Sequence, residues 1–421
     1  MDFKNHLLKY LSEEEITRLL GSLKQEPKYG VLLNTRKMSD ETFLSLFPHV
    51  IKHPIVPHAY LYDKNEYQLG KSVYHALGCF YLQEPSAMLP AYYLNANEND
   101  VVLDLCAAPG GKTVQTSFLM NNKGIIISND ISRQRASKIL ENVERLGIGN
   151  TIITANDFSL IFKDYLDKFD KIILDAPCSG SGMFRKEEKM ADDWSYNKVL
   201  KNQEIQKQLI YMAYQMLKPG GTMVYSTCSF SYEEDEEVID YLLAQSDAKI
   251  INITNPLLYI NKINPLGVHL FPHLFPGEGH YLCLLEKSGM RKENKEDSLK
   301  TKNKYNLEFN NVFDYSHILF GIDKSINVKP LNIIRLGVKI GEDIKGEIKF
   351  DYHYAHYINK FEKIKEINDE EIKKYFLGET ILDNDNKGYI LIKYKGINVD
   401  IAKGDGRIIK NHLPKGLRYK L

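Results

Sequence analysis

Val101-Val102-Leu103-Asp104-Leu105-Cys106-Ala107-Ala108-Pro109-Gly110-Gly111-Lys112-Thr113 runs from an apolar strand into a turn of small residues that opens a helix. Small residues let a ligand approach the backbone, and the free amides at a helix start favour an anionic group. A phosphate loop needs Gly-x-x-x-x-Gly-Lys-Ser/Thr. Gly111-Lys112-Thr113 supplies its end, but Cys106 stands at its first position. The dinucleotide pattern G-x-G-x-x-G is absent as well. What remains is a turn suited to S-adenosylmethionine, which offers an amino-acid carboxylate where a nucleotide offers a pyrophosphate.

Outward from this turn, strand and helix signals alternate. The apolar runs Ile125-Ile126-Ile127, Ile152-Ile153, Ile172-Ile173-Leu174 and Met223-Val224-Tyr225 are separated by helical stretches. Over residues 132–146, Ala136, Ile139, Leu140, Val143 and Leu146 fall on one helical face. Such alternation predicts an α/β fold, a Rossmann-like doubly wound parallel sheet over residues 96–287. Asp130 closes the next strand run, where an acid accepts ribose hydroxyls or simply caps a helix. Asn156-Asp157 follows the third strand and suits an adenine edge or an ordinary turn.

The fourth strand delivers Asp175-Ala176-Pro177-Cys178-Ser179-Gly180-Ser181-Gly182, and the fifth delivers Ser226-Thr227-Cys228-Ser229. Cys79 and Cys283 sit among apolar neighbours and read as inert buried thiols. Cys178 and Cys228 differ, because both follow strand ends on the edge where open α/β sheets bind ligands. Carbon 5 of a pyrimidine is a poor nucleophile. A thiolate that adds to carbon 6 converts the ring to an enamine able to take a methyl group. An acid near ring nitrogen 3 stabilises the charge arriving there, and Asp175 is placed for it. An exocyclic N-methyltransferase needs no thiol and favours an Asn/Asp-Pro-Pro-aromatic loop, which Asp175-Ala176-Pro177-Cys178 is not. Ser231 and Glu234 have capping-box spacing, so the acidic run 233–237 reads as a helix start instead of a metal site. Residues 80–86 suit a cofactor wall or core packing, and Glu278 and His280 a turn into the last strand.

The whole chain has 421 residues, with 55 basic against 55 acidic side chains, so net charge gives no argument for nucleic acid. The five cysteines show no C-x-x-C spacing, which predicts neither zinc nor disulfides and no metal. No apolar stretch reaches the roughly 18 residues of a membrane span. No signal core follows the N-terminus, so a cytoplasmic location is expected. The oligomeric state is invisible, with a monomer as the default. Four zones and a linker emerge: a lobe at 1–95, the core at 96–287, a polar linker at 288–306, a segment at 307–365 and a β-rich end at 366–421. From Lys387 onward nine Lys/Arg face two Asp/Glu, a local basic excess that suits an RNA surface or a solvated terminus.

Four blocks in this order, Tyr81-Leu82-Gln83-Glu84-Pro85-Ser86-Ala87-Met88, Asp104 to Thr113 as quoted, Asp175 to Gly182 and Ser226 to Ser229, resemble the Sun-type RNA (cytosine-5) methyltransferases. The tail Lys410-Asn411-His412-Leu413-Pro414-Lys415-Gly416-Leu417-Arg418 is similar to that of the bacterial F-type enzymes, which act on 16S ribosomal RNA. The resemblance implies an N-terminal α+β lobe facing RNA and a C-terminal PUA-like RNA-binding domain. It implies S-adenosylmethionine contacts at Cys106, Ala107, Ala108, Pro109, Gly110, Gly111, Lys112, Asp130, Asp157 and Asp175. It makes Cys228 the nucleophile and Cys178 the thiol that assists release, an order that spacing alone leaves open. The expected partner is 16S ribosomal RNA or the small subunit. Methylation of transfer RNA and a non-catalytic ribosome-assembly role are the alternatives.

Overall fold

The structure, a computed structural model, describes residues 2–290, 305, 307–324 and 327–418. The expected linker at 288–306 lies mostly outside them. Four antiparallel strands, β1 (Tyr29–Leu33), β2 (Ile51–Lys52), β3 (Ala59–Tyr62) and β4 (Phe80–Gln83), form the first sheet in the order β2-β3-β1-β4. Two helices, Phe3–Leu7 and Glu13–Ser22, precede it. The apolar repeat over residues 7–23 is thus broken once. Ser12 and Glu15 form a reciprocal capping box there, which ends one helix pattern and starts the next.

The central sheet carries β5 (Val101–Asp104), β6 (Ile125–Asn129), β7 (Thr151–Thr154), β8 (Phe169–Asp175), β9 (Leu217–Thr227), β10 (Lys249–Ile251), β11 (Val268–Leu270) and β12 (His280–Glu286). Strands β9, β8, β5, β6 and β7 are neighbours in that order and parallel. Alternation with a period of two sends Leu103, Ile127, Leu174 and Tyr225 into one core layer with Ile210, Ala213, Val238 and Leu242. Ile173 and Val224 go to the opposite layer, with Leu89 and Leu94. The sheet is therefore covered on both faces, as the alternating pattern predicts.

Two features depart from an all-parallel sheet. Strand β12 lies antiparallel to β9, which returns the chain beside the Cys228 strand. The segment after the expected linker contributes β13 (Asn311–Tyr315), β14 (Ile318–Ile322), β15 (Ile333–Leu336), β16 (Val338–Ile344) and β17 (Glu347–Phe350). Of these, β15 leaves its neighbours and pairs antiparallel with β7, extending the central sheet. The last sheet holds β18 (Ile364–Ile367), β19 (Ile381–Leu382), β20 (Lys387–Tyr394), β21 (Ile397–Asp405) and β22 (Ile408–Ile409) in the order β18-β20-β21-β22-β19. Its inner face shares one hydrophobic cluster with the first sheet: Val31, Leu33, Phe43 and Phe80 pack with Tyr375, Ile390, Ile392 and Val399. The two ends of the chain are thereby locked together. Among the described residues, no helix is long and apolar enough to cross a membrane.

Candidate active site

All five parallel strands point their C-terminal ends at one edge, and the loops leaving that edge build the site. After β5, Gly110 adopts φ +108° and caps the helix Gly111–Leu119. A side chain would be strained at Gly110 by its positive φ and crowded at both glycines of the turn. A Cβ on Gly110 would lie 3.2 Å from Ile139, and one on Gly111 3.1 Å from the Gln83 amide. Tyr81 and Gln83 of β4 are buried beneath the turn, so the 80–86 motif supports the cradle from below as core packing. Asn129 ties three loops together: its amide donates to the carbonyls of Leu105 and Asn156, and its carbonyl accepts from Thr154 and the Asn156 amide. Its place just before Asp130 at the end of a strand run is the one sequence signal for this role.

Asp130 follows β6 and is buried; Oδ1 accepts from the Ser132 amide at 2.9 Å, while Arg135 lies 3.3 Å from Oδ2. The helix cap is Ser132. Asp157 is exposed, and its Oδ1 caps a short turn by accepting from the amide and hydroxyl of Ser159. The Asn156 carbonyl accepts from the Asn332 amide, so that side chain anchors the strand β15 segment.

Asp104 is fully buried, accepts from the Thr113 hydroxyl at 2.7 Å and lies between the strand and the cofactor turn. Burial pushes its carboxyl up to about 7, with the charges of Asp175 and Asp130 adding and Thr113 and Lys112 opposing. An unfolded Asp ionises near pH 4, whereas the folded one keeps its proton to higher pH, so folding binds the extra proton. The Asp104 contribution to stability therefore falls as pH rises from about 4 to 7. Urea denaturation of the wild type and of Asp104→Asn across this range is expected to show the wild type losing ground to the variant; parallel curves would refute the assignment.

Lys112 sits on the helix after the turn, but its ammonium leaves the cofactor cradle and meets Asp175 Oδ2 at 2.7 Å. Ser226 donates to Asp175 Oδ1 at 2.8 Å, and His280 Nε2 lies 3.4 Å from the same oxygen. Burial opposes the charge of Asp175, yet Lys112 and His280 outweigh it and hold the carboxyl well below the usual carboxylate range. Asp175 is thus an ionised group with a resident cation, not a free acid.

The sulfurs of Cys178 and Cys228 lie 3.0 Å apart. The hydrogen bond to Cys228, burial and the nearby charge of Glu234 push the Cys178 thiol well above its ordinary range, so it remains protonated. Cys106, in the cofactor turn, is also pushed up by burial and by Asp104, Asp175 and Asp130. Cys79 and Cys283 are fully buried.

The acidic run corrects the reading of Ser231 and Glu234 as a capping box. The helix Glu236–Gln245 starts at Glu236, and Asp235, not Ser231, stands at its cap. Glu234 turns inward and accepts from Ser179, Ser229 and Gln206, because these buried donors outcompete a solvent-facing cap. Asp235, Glu236 and His269 bring three possible ligand atoms within 4.8 Å of one another. Thr227 donates to Asp235 Oδ1, while Asn261 donates to Glu236 Oε1 and His269 Nε2 lies 2.9 Å from it. Glu278 does not serve the turn alone: Arg185 pairs with it at 2.8 Å in the interior.

Three family models match the chain: the 16S rRNA methyltransferase RsmB/F over residues 91–286, the N-terminal domain of 16S rRNA methyltransferase RsmF over 1–85, and the methyltransferase RsmF PUA domain over 362–419. The ribosomal RNA small subunit methyltransferase F of Vibrio vulnificus (strain YJ016) is 30% identical, covering 93% of this chain and 92% of that relative. The enzyme of the same name from Shewanella oneidensis is 32% identical, covering 92% and 90%. A solved methyltransferase homolog protein from Pyrococcus horikoshii superposes with a TM-score of 0.60 at 26% identity, over 67% of this chain and 93% of that one. NSun6 from the same organism shares the fold, with a TM-score of 0.62 at 23% identity, over 69% and 98%.

Proposed function

The chain belongs to the RsmB/F family of 16S ribosomal RNA methyltransferases, and on that premise we propose that it methylates carbon 5 of a cytosine in small-subunit ribosomal RNA. The observation that carries this reading is the pair of thiols, 3.0 Å apart, on the loop edge that also holds Asp175. A methyltransferase acting on nitrogen or oxygen has no use for such a pair.

The turn fits an anionic ligand through the free amides at the start of the helix Gly111–Leu119, while its two glycines pack tightly inward against Ile139 and Gln83. Cys106, Ala107, Ala108, Pro109, Gly110, Gly111 and Lys112, with Asp130 and Asp157, would hold S-adenosylmethionine. That cofactor supplies an electrophilic methyl group. Cys228 adds through its thiolate to ring carbon 6, and the electron pair moves to carbon 5. Nitrogen 3 becomes basic as this happens. Because Asp175 is ionised, the proton comes from Lys112 through the shared carboxylate, which then faces a protonated ring. Once carbon 5 carries the methyl group, a base in the site takes the proton from carbon 5. The electron pair of that bond re-forms the double bond to carbon 6 and expels the Cys228 sulfur as a thiolate, and nitrogen 3 returns its proton through Asp175 to Lys112. Cys178, in contact with that sulfur, assists this release. Lys112 therefore has a second task beside the cofactor turn.

The lobe at 1–95 and the terminal domain at 366–421 form the RNA-binding part of this reading, which agrees with the basic tail and the match to a PUA domain. A ribosomal substrate also implies work in the cytoplasm. Incubating the protein with labelled S-adenosylmethionine and either 16S ribosomal RNA, small subunits or transfer RNA, followed by bisulfite sequencing, tests the proposal. A new 5-methylcytosine in 16S ribosomal RNA is expected. Label in transfer RNA alone would transfer the reading to the alternative substrate, and no label in any RNA would leave a binding factor.

A further inference from the structure

Sheet pairing aligns the two cysteine loops as far as Ala176, whose amide donates to the Ser226 carbonyl at 2.8 Å. Beyond that point the Gly182 amide donates to the Cys228 carbonyl at 2.8 Å and the Phe230 amide to the Ser181 hydroxyl at 2.8 Å, and side-chain contacts add to these in setting the spacing of the thiols. One carboxylate reaches both. Glu234, in the turn after β9, is fully buried. Its Oε1 accepts from the Ser179 amide at 2.8 Å and from Gln206 Nε2 at 3.2 Å. Its Oε2 accepts from the Ser179 hydroxyl and, at 2.6 Å, from the Ser229 hydroxyl. Gln206 also donates to the Pro177 carbonyl at 2.8 Å. Ser179 follows Cys178 and Ser229 follows Cys228, so four donors from both sides of the thiol pair converge on one side chain.

We infer that Glu234 is a positioning residue for the cysteine pair, setting the distance between nucleophile and release thiol through Ser179 and Ser229. The inference rests on the cytosine-5 reading above for its catalytic meaning, but not for its geometry. A buried carboxylate with four donors is a stiff link, because each broken contact would strand a buried polar group. The same charge disfavours ionisation of Cys178. The other ionisable groups around that thiol are Cys228 and Tyr225. Glu234 thus fixes where Cys178 sits and favours its protonated form.

The test uses the full chain and the variants Glu234→Ala, Glu234→Gln and Ser179→Ala. Diamide serves as a ruler: it takes two hydrogens from two thiols, becomes a hydrazine and leaves a disulfide, read by mass spectrometry with Cys79, Cys106 and Cys283 as internal controls. Glu234→Ala is expected to slow both Cys178–Cys228 cross-linking and kcat by about tenfold or more, since a misplacement of about 1 Å can cost about a hundredfold. KM for RNA and affinity for S-adenosylmethionine should stay near wild type. Glu234→Gln retains the shape and restores cross-linking, yet its rate of adduct release shifts to lower pH because the charge beside Cys178 is gone. If Glu234→Ala does not fold, Ser179→Ala should slow cross-linking about fivefold, the worth of one hydrogen bond. Wild-type cross-linking and kcat in the alanine variants, or an unmoved pH profile in Glu234→Gln, would overturn the inference. Cross-linking needs no RNA, so its outcome stands apart from any failure of the substrate assignment.

Discussion

Cys228→Ala is expected to lose methyl transfer altogether, a fall of about 10⁴-fold or more, as when an enzyme loses its covalent nucleophile. Cys178→Ala should behave in the opposite way: the protein still bonds to RNA but releases it slowly, giving a band of low mobility in a denaturing gel. The distance alone does not order the two sulfurs, because at 3.0 Å either can approach the same ring. The order is the one the resemblance implies, with Cys228 attacking and Cys178 assisting release. The upward push on the Cys178 thiol from its hydrogen bond to Cys228, burial and Glu234 agrees with that order without deciding it. A gel in which Cys228→Ala traps the adduct while Cys178→Ala is inert would reverse the roles. Normal turnover by Cys228→Ala would remove covalent catalysis from the account.

The edge on which these thiols meet was legible because it follows from connectivity. Parallel strands joined by helices must end on one side, so residues that follow strands at 104, 175 and 227 become neighbours however far apart they lie in the chain. Glu234 was not legible. Ser231-Tyr232-Glu233-Glu234 has the spacing of a capping box, and only the buried donors on Ser179 and Gln206, which come from other elements, turn the side chain inward. Lys112 is a similar case: its place in the turn suggests the cofactor, while its long side chain reaches Asp175. Local pattern says equally little about which distant segments share a core. Hence neither the strand from 333–336 on the central sheet nor the packing of Phe80 with Tyr375 and Ile390 was foreseen.

Asp175→Asn is the second change with a large expected effect. The substitution keeps the shape of the side chain and a partner for Ser226, but it removes the charge that Lys112 opposes at 2.7 Å. Loss of a preorganised group facing the reacting ring should lower kcat by about 10²–10³-fold. The pH dependence separates this from a simple acid. Asp175 is depressed, so its stabilising contribution is complete above the unfolded pKa near 4 and is lost only as pH falls through its lower folded value. Between about pH 5 and 6, below the range in which Asp104 loses its proton, the deficit of the variant should therefore be constant, whereas a catalytic acid titrating there would make it vary. Stability should fall too, by about 2 kcal/mol in urea, because the Lys112 side chain is only 8% exposed and loses the carboxylate that it meets at 2.7 Å. Adding Lys112→Met to Asp175→Asn should recover that stability without recovering rate, since the two groups act as one unit. Additive losses in kcat would separate Lys112 from Asp175, and a deficit that changes with pH across this window would return the proton to Asp175 itself.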